Sequence, residues 1–352
     1  MKTELVPPKT SARRPSFFEH LHPPTLPAAQ MRFTYTWGLG GLSALLFLVL
    51  GVTGVMEMLY YSPAPGAAAD SIRVIMYIVP YGWFIRNLHH WAGQAMVVVV
   101  ALHMARVILT GAYKPRRELN WVIGILLLAL TVALDFTGHA LKCDDQAAWA
   151  VTTGGGLIRS IPMLGDALYN IALGGPACTS MALVRLYSWH VLGAALPAAV
   201  LIGYHFFRVR RDGGIATPRG LSGPTGGERL ARSELVRREG VVALAGMTAL
   251  ILMSAFFDAP LGKPADFAPV TTHIQAPWFF LWVQELLRVF SPFVAGVLAP
   301  FGVLVLLASL PFVEKSPNGA GVYLAKELRP LHIAFALLCA VVVGLTIRGG
   351  LR

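Results

Sequence analysis

Charge is what this sequence has least of. Only 13% of its 352 residues are Asp, Glu, Lys or Arg, while 55% are hydrophobic, and its mean hydropathy is positive; a soluble globular domain carries about a quarter charged residues, so that class is excluded. Acidic residues are the scarcest part of that charge: 18 stand against 29 Lys and Arg, a net charge of +11. Such an excess suits a nucleic-acid partner, but here the basic residues gather between apolar runs, as in the cytoplasmic loops of a polytopic membrane protein. Nucleic acid is set aside. Cysteine is nearly absent. Cys143, Cys178 and Cys339 form no CxxCH sequence, which excludes a c-type haem attached through that motif and argues against a cysteine metal site. The first thirty residues, MKTELVPPKTSARRPSFFEHLHPPTLPAAQ, are polar and proline-rich and lack a short apolar core; no cleaved signal is expected, and the N-terminus is expected in the cytoplasm.

What the sequence does have is seven apolar runs, near 35–60, 84–110, 120–141, 182–208, 239–257, 293–312 and 331–348, each close to the roughly 20 residues that carry a helix across a bilayer. The expected fold class is all-α, a polytopic transmembrane helix bundle. Lys2, Lys9, Arg13 and Arg14 precede the first run, Lys114, Arg116 and Arg117 follow the second, and Arg208, Arg210, Arg211, Arg219, Arg229, Arg232, Arg237 and Arg238 follow the fourth. With Lys315, Lys326 and Arg329 between the sixth and seventh runs, all of these fall on one side when the N-terminus is cytoplasmic. The expected organisation is a polar leader over 1–30, a four-helix block over 31–208, a cytoplasmic Gly-, Pro- and Arg-rich linker over 209–238 and a three-helix block over 239–352. On the opposite side, WAVTTGGGLIRSIPMLGDALYNIALGG and DAPLGKPADFAPVTTHIQAPWFFLWVQELLR are apolar enough to lie along a membrane surface as lids or docking segments.

The chemistry sits in the second and fourth runs. His89 and His103 are fourteen residues apart, which on a helix places them about 40° from eclipsed and roughly 21 Å apart along the axis. His190 and His205, fifteen apart, lie about 60° from eclipsed and on the order of 22 Å apart. Both helices cross in the same direction, so His89 levels with His190 and His103 with His205. Facing imidazoles at one depth are the ligand set of a bis-histidine b-type haem, supplied here twice. Arg86, Arg106 and Arg185 stand near the ends of these helices, where buried guanidinium groups need anionic partners such as haem propionates. Gly40 and Gly54 in the first run, and Gly124 and Gly138 in the third, repeat the fourteen-residue period; a flat macrocycle wedged among helices needs side chains missing at its own depth. A lone intramembrane histidine more often hydrogen-bonds between helices, and glycine pairs by themselves serve close packing, but neither accounts for four histidines and four glycines in one register. His90 lacks such a partner and reads as interfacial, and His20 and His22 read as solvated residues of the leader.

The stretches RNLHHWAGQAMVVVVALHMARVILTGAYKPRRELNWVIG, TGHALKCDDQAAWAV, RSIPMLGD and LVRLYSWHVLGAALPAAVLIGYHFFRVRR resemble the cytochrome b family of quinol–cytochrome c oxidoreductases. The fifteen-residue second spacing and the three-run C-terminal block look most like its photosynthetic, plastoquinol-oxidising branch and bacterial relatives, with two subunits fused. The resemblance covers roughly residues 30 to 348. It implies two non-covalent b haems, one near the outer face on His89 and His190 and one near the cytoplasm on His103 and His205, with Arg86 and Arg106 at positions that contact propionates. It also implies quinol oxidation at an outer pocket, quinone reduction near the inner face, a Rieske iron–sulfur protein or c-type cytochrome as partner, a homodimer, and placement in a bacterial cytoplasmic membrane.

Three positions depart from the family. Its outer-site PWGQ or PWDQ reads KCDD here, Lys142 to Asp145, and its PEWY reads APWF, Ala276 to Phe279, with Pro277 where a glutamate takes a proton from quinol. Asp144, Asp145 and Glu285 are candidates to replace that glutamate, since desolvation raises a carboxylate toward neutrality; solvated surface acids are the alternative for all three. Gly38 stands where the plastoquinol-oxidising branch attaches a further haem through cysteine, so no covalent haem is expected. Cys143 and Cys178 both fall on the outer side, where a disulfide between them is permitted. Two other functions stay open: an electron conduit whose altered outer pocket no longer splits quinol electrons, and a transporter or structural membrane subunit without cofactor.

Overall fold

The computed structural model describes residues 24–114, 116–217, 229–265 and 274–352; His20, His22, Lys2, Lys9, Arg13, Arg14 and Arg219 lie outside them. Among the described residues seven helices are long and apolar enough to cross a membrane: α1 (Leu39–Met58), α3 (Gly82–Leu109), α4 (Glu118–Ala140), α7 (Ser180–Arg211), α8 (Arg232–Phe256), α10 (Val294–Val313) and α11 (Lys326–Gly350). Shorter helices stand between them: α2 (Ala67–Tyr77), α5 (Asp145–Arg159), α6 (Gly165–Ala172) and α9 (Trp278–Leu287). Counting crossings puts α2, α5, α6 and α9 on the side opposite the leader. Both long segments expected to lie along that surface thus carry helices.

The apolar runs and the helices differ at several ends, two of them for a clear local reason. The first helix starts at Leu39, because Trp37 and Gly38 both take the left-handed backbone, at φ 54° and 63°, and cut off the single turn Phe33–Thr36. Glycine is required at 38 also by proximity, since a Cβ there would lie 2.9 Å from Val242 Cγ1 of α8. At the other end, α8 begins seven residues before its apolar run. Its polar first turns are held by Glu234, which pairs with Arg237 at 2.9 Å and Arg238 at 2.8 Å, the i,i+3 and i,i+4 spacings that stabilise a solvated helix end. One element was not expected: a two-stranded antiparallel ladder, β1 (Thr25–Pro27) with β2 (Arg229–Ala231), which ties the chain before α1 to the chain before α8.

Two helices run through prolines by widening a turn. Trp189–Ala195 in α7 and Val294–Leu298 in α10 are π-helical, and Pro197 and Pro300 stand two residues beyond them. A proline removes an N–H and crowds the carbonyl one turn back, and a π turn, with one residue more than an α turn, takes up the misfit. In α7 this has a consequence for register. The extra residue lies between His190 and His205, so their fifteen-residue spacing turns like the fourteen-residue spacing of His89 and His103.

α1 packs along α3 through Leu46, Val49, Ala92 and Met96, with Leu250 of α8 against the same cluster. The C-terminal helices are fixed to the first four by polar contacts: Trp121 Nε1 donates to Leu307 O at 2.7 Å, and Asn87 Nδ2 donates to Ser254 O and Asp258 Oδ1 while the Ala259 N–H donates back to Asn87 Oδ1. Helix association in lipid has little hydrophobic driving force, so such contacts carry more of the specificity. Large apolar side chains face outward along the spans, Leu48, Val200 and Leu244 among them, each more than 60% exposed, as a lipid-facing surface requires. A disulfide joins Cys143 to Cys178 and, with Leu183, Tyr169 and Val151, caps the end opposite the leader, called here the disulfide side.

Candidate functional site

A continuous cavity of about 1150 Å³ runs through the first four spans. His89, His103, His190 and His205 all line it, with Gly40, Gly54, Gly124, Gly138, Arg86 and Arg106. At the disulfide end the His89 and His190 rings face each other with centroids 6.4 Å apart. Thr53 Oγ1 lies 2.9 Å from His89 Nδ1 and Thr137 Oγ1 lies 2.9 Å from His190 Nδ1. Each threonine hydroxyl itself donates one turn back to a carbonyl, Val49 O and Ala133 O, so its oxygen is left to accept from the imidazole. That fixes the N–H on Nδ1 and leaves Nε2 as the free lone pair.

The four glycines stand behind the imidazoles. A Cβ at Gly54 would lie 3.1 Å from His89 Cε1, at Gly138 3.0 Å from His190 Cε1, at Gly40 3.4 Å from His103 Cε1 and at Gly124 3.6 Å from His205 Cε1. α1 therefore backs the histidines of α3, and α4 backs those of α7. The sequence reading assigned this space to a macrocycle; in the structure it admits the ligand rings, which lie flat against the neighbouring helix because the side chain is missing.

The residues fit a b-type haem. Two metal–nitrogen bonds of about 2 Å, plus the distance of about 1 Å from each nitrogen to its ring centre, add to about 6 Å, close to the observed separation of His89 and His190. Arg106 adds a second sign. It is 8% exposed, its Nε donates to Tyr35 O at 2.9 Å, and its Nη2 is buried with no hydrogen-bond partner among the described residues, a donor available to an anion at the leader end. Burial pushes the adjacent Tyr35 phenol up, with the Arg106 guanidinium 4.6 Å over its ring opposing the rise.

Other expected residues are placed differently. Arg86 lines the cavity, but its Nη1 donates to Ala259 O and its Nη2 to Pro260 O, so it also clamps α3 to the chain after α8. Arg185 is not among the residues lining the cavity; its guanidinium lies over Gly174 in the loop before α7, where a Cβ would meet Cζ at 2.5 Å.

None of Asp144, Asp145 and Glu285 lines the cavity. Asp144 is 1% exposed; it caps α5 by accepting from the Ala147 N–H, accepts from the Gly262 N–H, and pairs with Lys142 at 3.0 Å. Burial pushes its carboxyl up, but Lys142 and the two backbone N–H groups outweigh that and hold it below the ordinary carboxylate range. Glu285, 4% exposed, is surrounded by Arg288, Arg348 and Arg352 at 2.8, 3.2 and 3.9 Å. The Asp145 N–H donates to Lys263 O. The KCDD stretch is thus a staple to the chain at 262–265, with Cys143 in the disulfide and its carbonyl accepting from Ala265 N–H.

The acids that do line the cavity are Glu57, Asp135 and Glu239. Sequence reasoning passed over Glu57 and Asp135 although each interrupts an apolar span, a signal of function in its own right. Glu57 Oε1 and His139 Nε2 are buried with no hydrogen-bond partner among the described residues. Asp135 accepts from Gln94 Nε2, whose Oε1 accepts from Trp278 Nε1 at 2.6 Å, and Pro277, Trp278 and Phe279 of the APWF stretch complete the wall.

Comparison with known proteins agrees with this architecture. A sequence model of cytochrome b/b6/petB matches residues 26–213 and one of cytochrome b(C-terminal)/b6/petD matches 264–352. Cytochrome b6 of Synechococcus sp. (strain JA-3-3Ab) is 39% identical over 186 residues, 53% of this chain and 83% of that protein; cytochrome b6 of Heliomicrobium gestii is 41% identical over 175 residues, 50% and 82% of the two chains. Among solved structures, a hyperthermophilic respiratory complex III superposes with a TM-score of 0.77 at 27% identity, over 90% of this chain and 84% of that one. With both family patterns present in order on one set of membrane spans, the chain belongs to the cytochrome b/b6 family, as a membrane subunit of a bc-type complex.

Proposed function

We propose that this chain carries electrons across the membrane between a quinone pool and a redox partner on the disulfide side, through two non-covalent b haems. His89 and His190 hold one iron and His103 and His205 the other. The observation that carries the reading is the facing pair His89 and His190, 6.4 Å apart with each Nδ1 on a threonine hydroxyl. Bound haem supplies one-electron chemistry, and the protein supplies ligation, burial and charge. Thr53 and Thr137 orient the rings, Gly40, Gly54, Gly124 and Gly138 admit them, and Arg106 neutralises a propionate at the leader end. Arg86 is assigned the corresponding place at the other end, shared with its clamp on Ala259 and Pro260.

The N-terminus and the basic loops are assigned to the cytoplasm by their excess of Lys and Arg, in a bacterial cytoplasmic membrane, with the haem block over 31–208 and the C-terminal block over 239–352. A Rieske iron–sulfur protein or c-type cytochrome docks on the disulfide side, and the chain pairs with a second copy. The test is purification of the complex with haem stoichiometry and a redox titration. Two b haems with distinct potentials are expected, and His190→Ala should remove the disulfide-side haem alone; one haem per chain, or no loss in that variant, overturns the assignment. A second reading, a conduit without quinol splitting, is favoured by Lys142 to Asp145 and by Pro277. Co-purification of a multihaem protein in place of an iron–sulfur protein supports it.

A further inference from the structure

We propose that Asp135 accepts the proton of quinol in the disulfide-side pocket, oriented by Gln94 and Trp278; this rests on the quinone reading above. Asp135 sits inside span α4, two residues before Thr137, and its carboxylate faces the cavity. Among the described residues no ion pair involves it. Its hydrogen bonds come from one amide: Gln94 Nε2 lies 3.1 Å from Oδ1 and 3.4 Å from Oδ2. An intramembrane carboxylate with neither a cation nor a full set of donors is costly unless it is used, and its remaining lone pairs open on the cavity.

The surroundings specify what it meets. Gly93 gives it room, since a Cβ there would lie 3.1 Å from Asp135 Oδ1. Gln94 is held in one orientation by Trp278 Nε1, which donates to Oε1 and so turns Nε2 toward the acid. The residue after Asp135, Phe136, packs edge-on against Phe280 at 5.7 Å. Trp278 and Phe279 line the cavity beside this carboxylate and its amide, and such a wall suits a flat ring with a hydroxyl to lose. Asp144, Asp145 and Glu285 are engaged elsewhere, and Pro277 has nothing to accept a proton with.

Oxidation of one quinol releases two electrons and two protons. In the proposed step the O–H bond facing Asp135 breaks and its proton forms the O–H bond of the carboxyl group. The electrons leave singly to acceptors of the haem and iron–sulfur classes, and the proton of the second hydroxyl passes to water on the disulfide side, past Lys142 and Gln146, which line the cavity. Release of the carboxyl proton by the same route restores the carboxylate.

The test compares wild type, Asp135→Asn and Asp135→Glu in the intact complex, with decylubiquinol as donor. In Asp135→Asn we expect both haem spectra and dithionite reduction unchanged, quinol-driven haem reduction slowed at least tenfold, and loss of the carboxyl C=O band from the quinol-induced infrared difference spectrum; Asp135→Glu restores both. An Asp135→Asn variant as fast as wild type, with the band retained, overturns the assignment and leaves the haem reading intact. A wild type with two haems that decylubiquinol does not reduce overturns the quinone reading and this proposal with it. Where Asp135→Asn does not load haem, Gln94→Leu serves: slowed reduction with a shifted carboxyl band supports the proposal, and an unchanged rate and band overturn it.

Discussion

Thr137 Oγ1 lies 2.9 Å from His190 Nδ1 and donates its own hydrogen to Ala133 O at 2.8 Å, so a single hydroxyl connects the backbone of α4 to the imidazole of α7. Thr53 repeats the device on His89 from α1, with Val49 O as its acceptor at 2.7 Å. Partners of this kind hold the tautomer and angle of a ligand ring, and their loss costs about 10–100-fold in metal affinity. Thr137→Val keeps the shape and removes the oxygen. It is expected to weaken retention of the disulfide-side haem by roughly tenfold or more, with the other haem unchanged, measured by pyridine haemochrome assay after dilution and by redox titration.

Gly54 and Gly51 occupy the same helix one turn apart, with opposite surroundings. A Cβ at Gly54 would press on His89 Cε1 at 3.1 Å, whereas among the described residues nothing lies within 4 Å of one at Gly51. Gly54→Val is expected to displace the His89 ring and lose the disulfide-side haem, an overpacking cost of about 1–3 kcal/mol. Gly51→Val should leave both haems in place. Equal haem content in the two variants would contradict the backing role of Gly54.

The disulfide closes a segment 35 residues apart in sequence that contains α5 and α6. Loop-closure entropy assigns a cross-link of this length about 3–4 kcal/mol. Cys143→Ser with Cys178→Ser should lower the thermal unfolding midpoint in detergent, and reductant should shift wild type toward the variant. Cys339, unpaired and inside span α11, should label with a maleimide in denaturing detergent under non-reducing conditions, alone among the three cysteines.

Asp144 gives the stability a defined pH dependence. Burial raises its carboxyl, but Lys142, the Ala147 N–H and the Gly262 N–H lower it further, and the net shift is downward. A group depressed in the folded state stabilises above its unfolded value and loses that contribution as pH falls through the folded one. The thermal midpoint of wild type should therefore drop on acidification below the ordinary carboxylate range. Asp144→Asn should start lower at neutral pH and show a flatter profile over the same interval; parallel profiles would remove Asp144 from this role.

Position along the chain revealed much of this site, since the fourteen-residue period of His89 and His103, Gly40 and Gly54, and Gly124 and Gly138 is a helical repeat that needs no tertiary contact to be seen. The acids were harder to read. Asp144 and Glu285 looked free because their partners, Lys142 and Gly262 in one case and Arg288, Arg348 and Arg352 in the other, are set largely by the packing of distant segments. Asp135 went unremarked because its significance depends on Gln94 and Trp278, 41 and 143 residues away.

By itself the sequence determined the seven spans and the spacing of the histidines along each helix, because hydropathy and the rise per residue act along one helix at a time. Only the tertiary structure decided which surfaces meet: that the glycines back the imidazoles, that a π turn in α7 brings His190 into register with His205, and that Asp135 faces the cavity while Asp144 and Glu285 do not. These depend on the rotation of one helix about its axis against another and on hydrogen bonds between segments more than a hundred residues apart. No periodicity within a single segment encodes either.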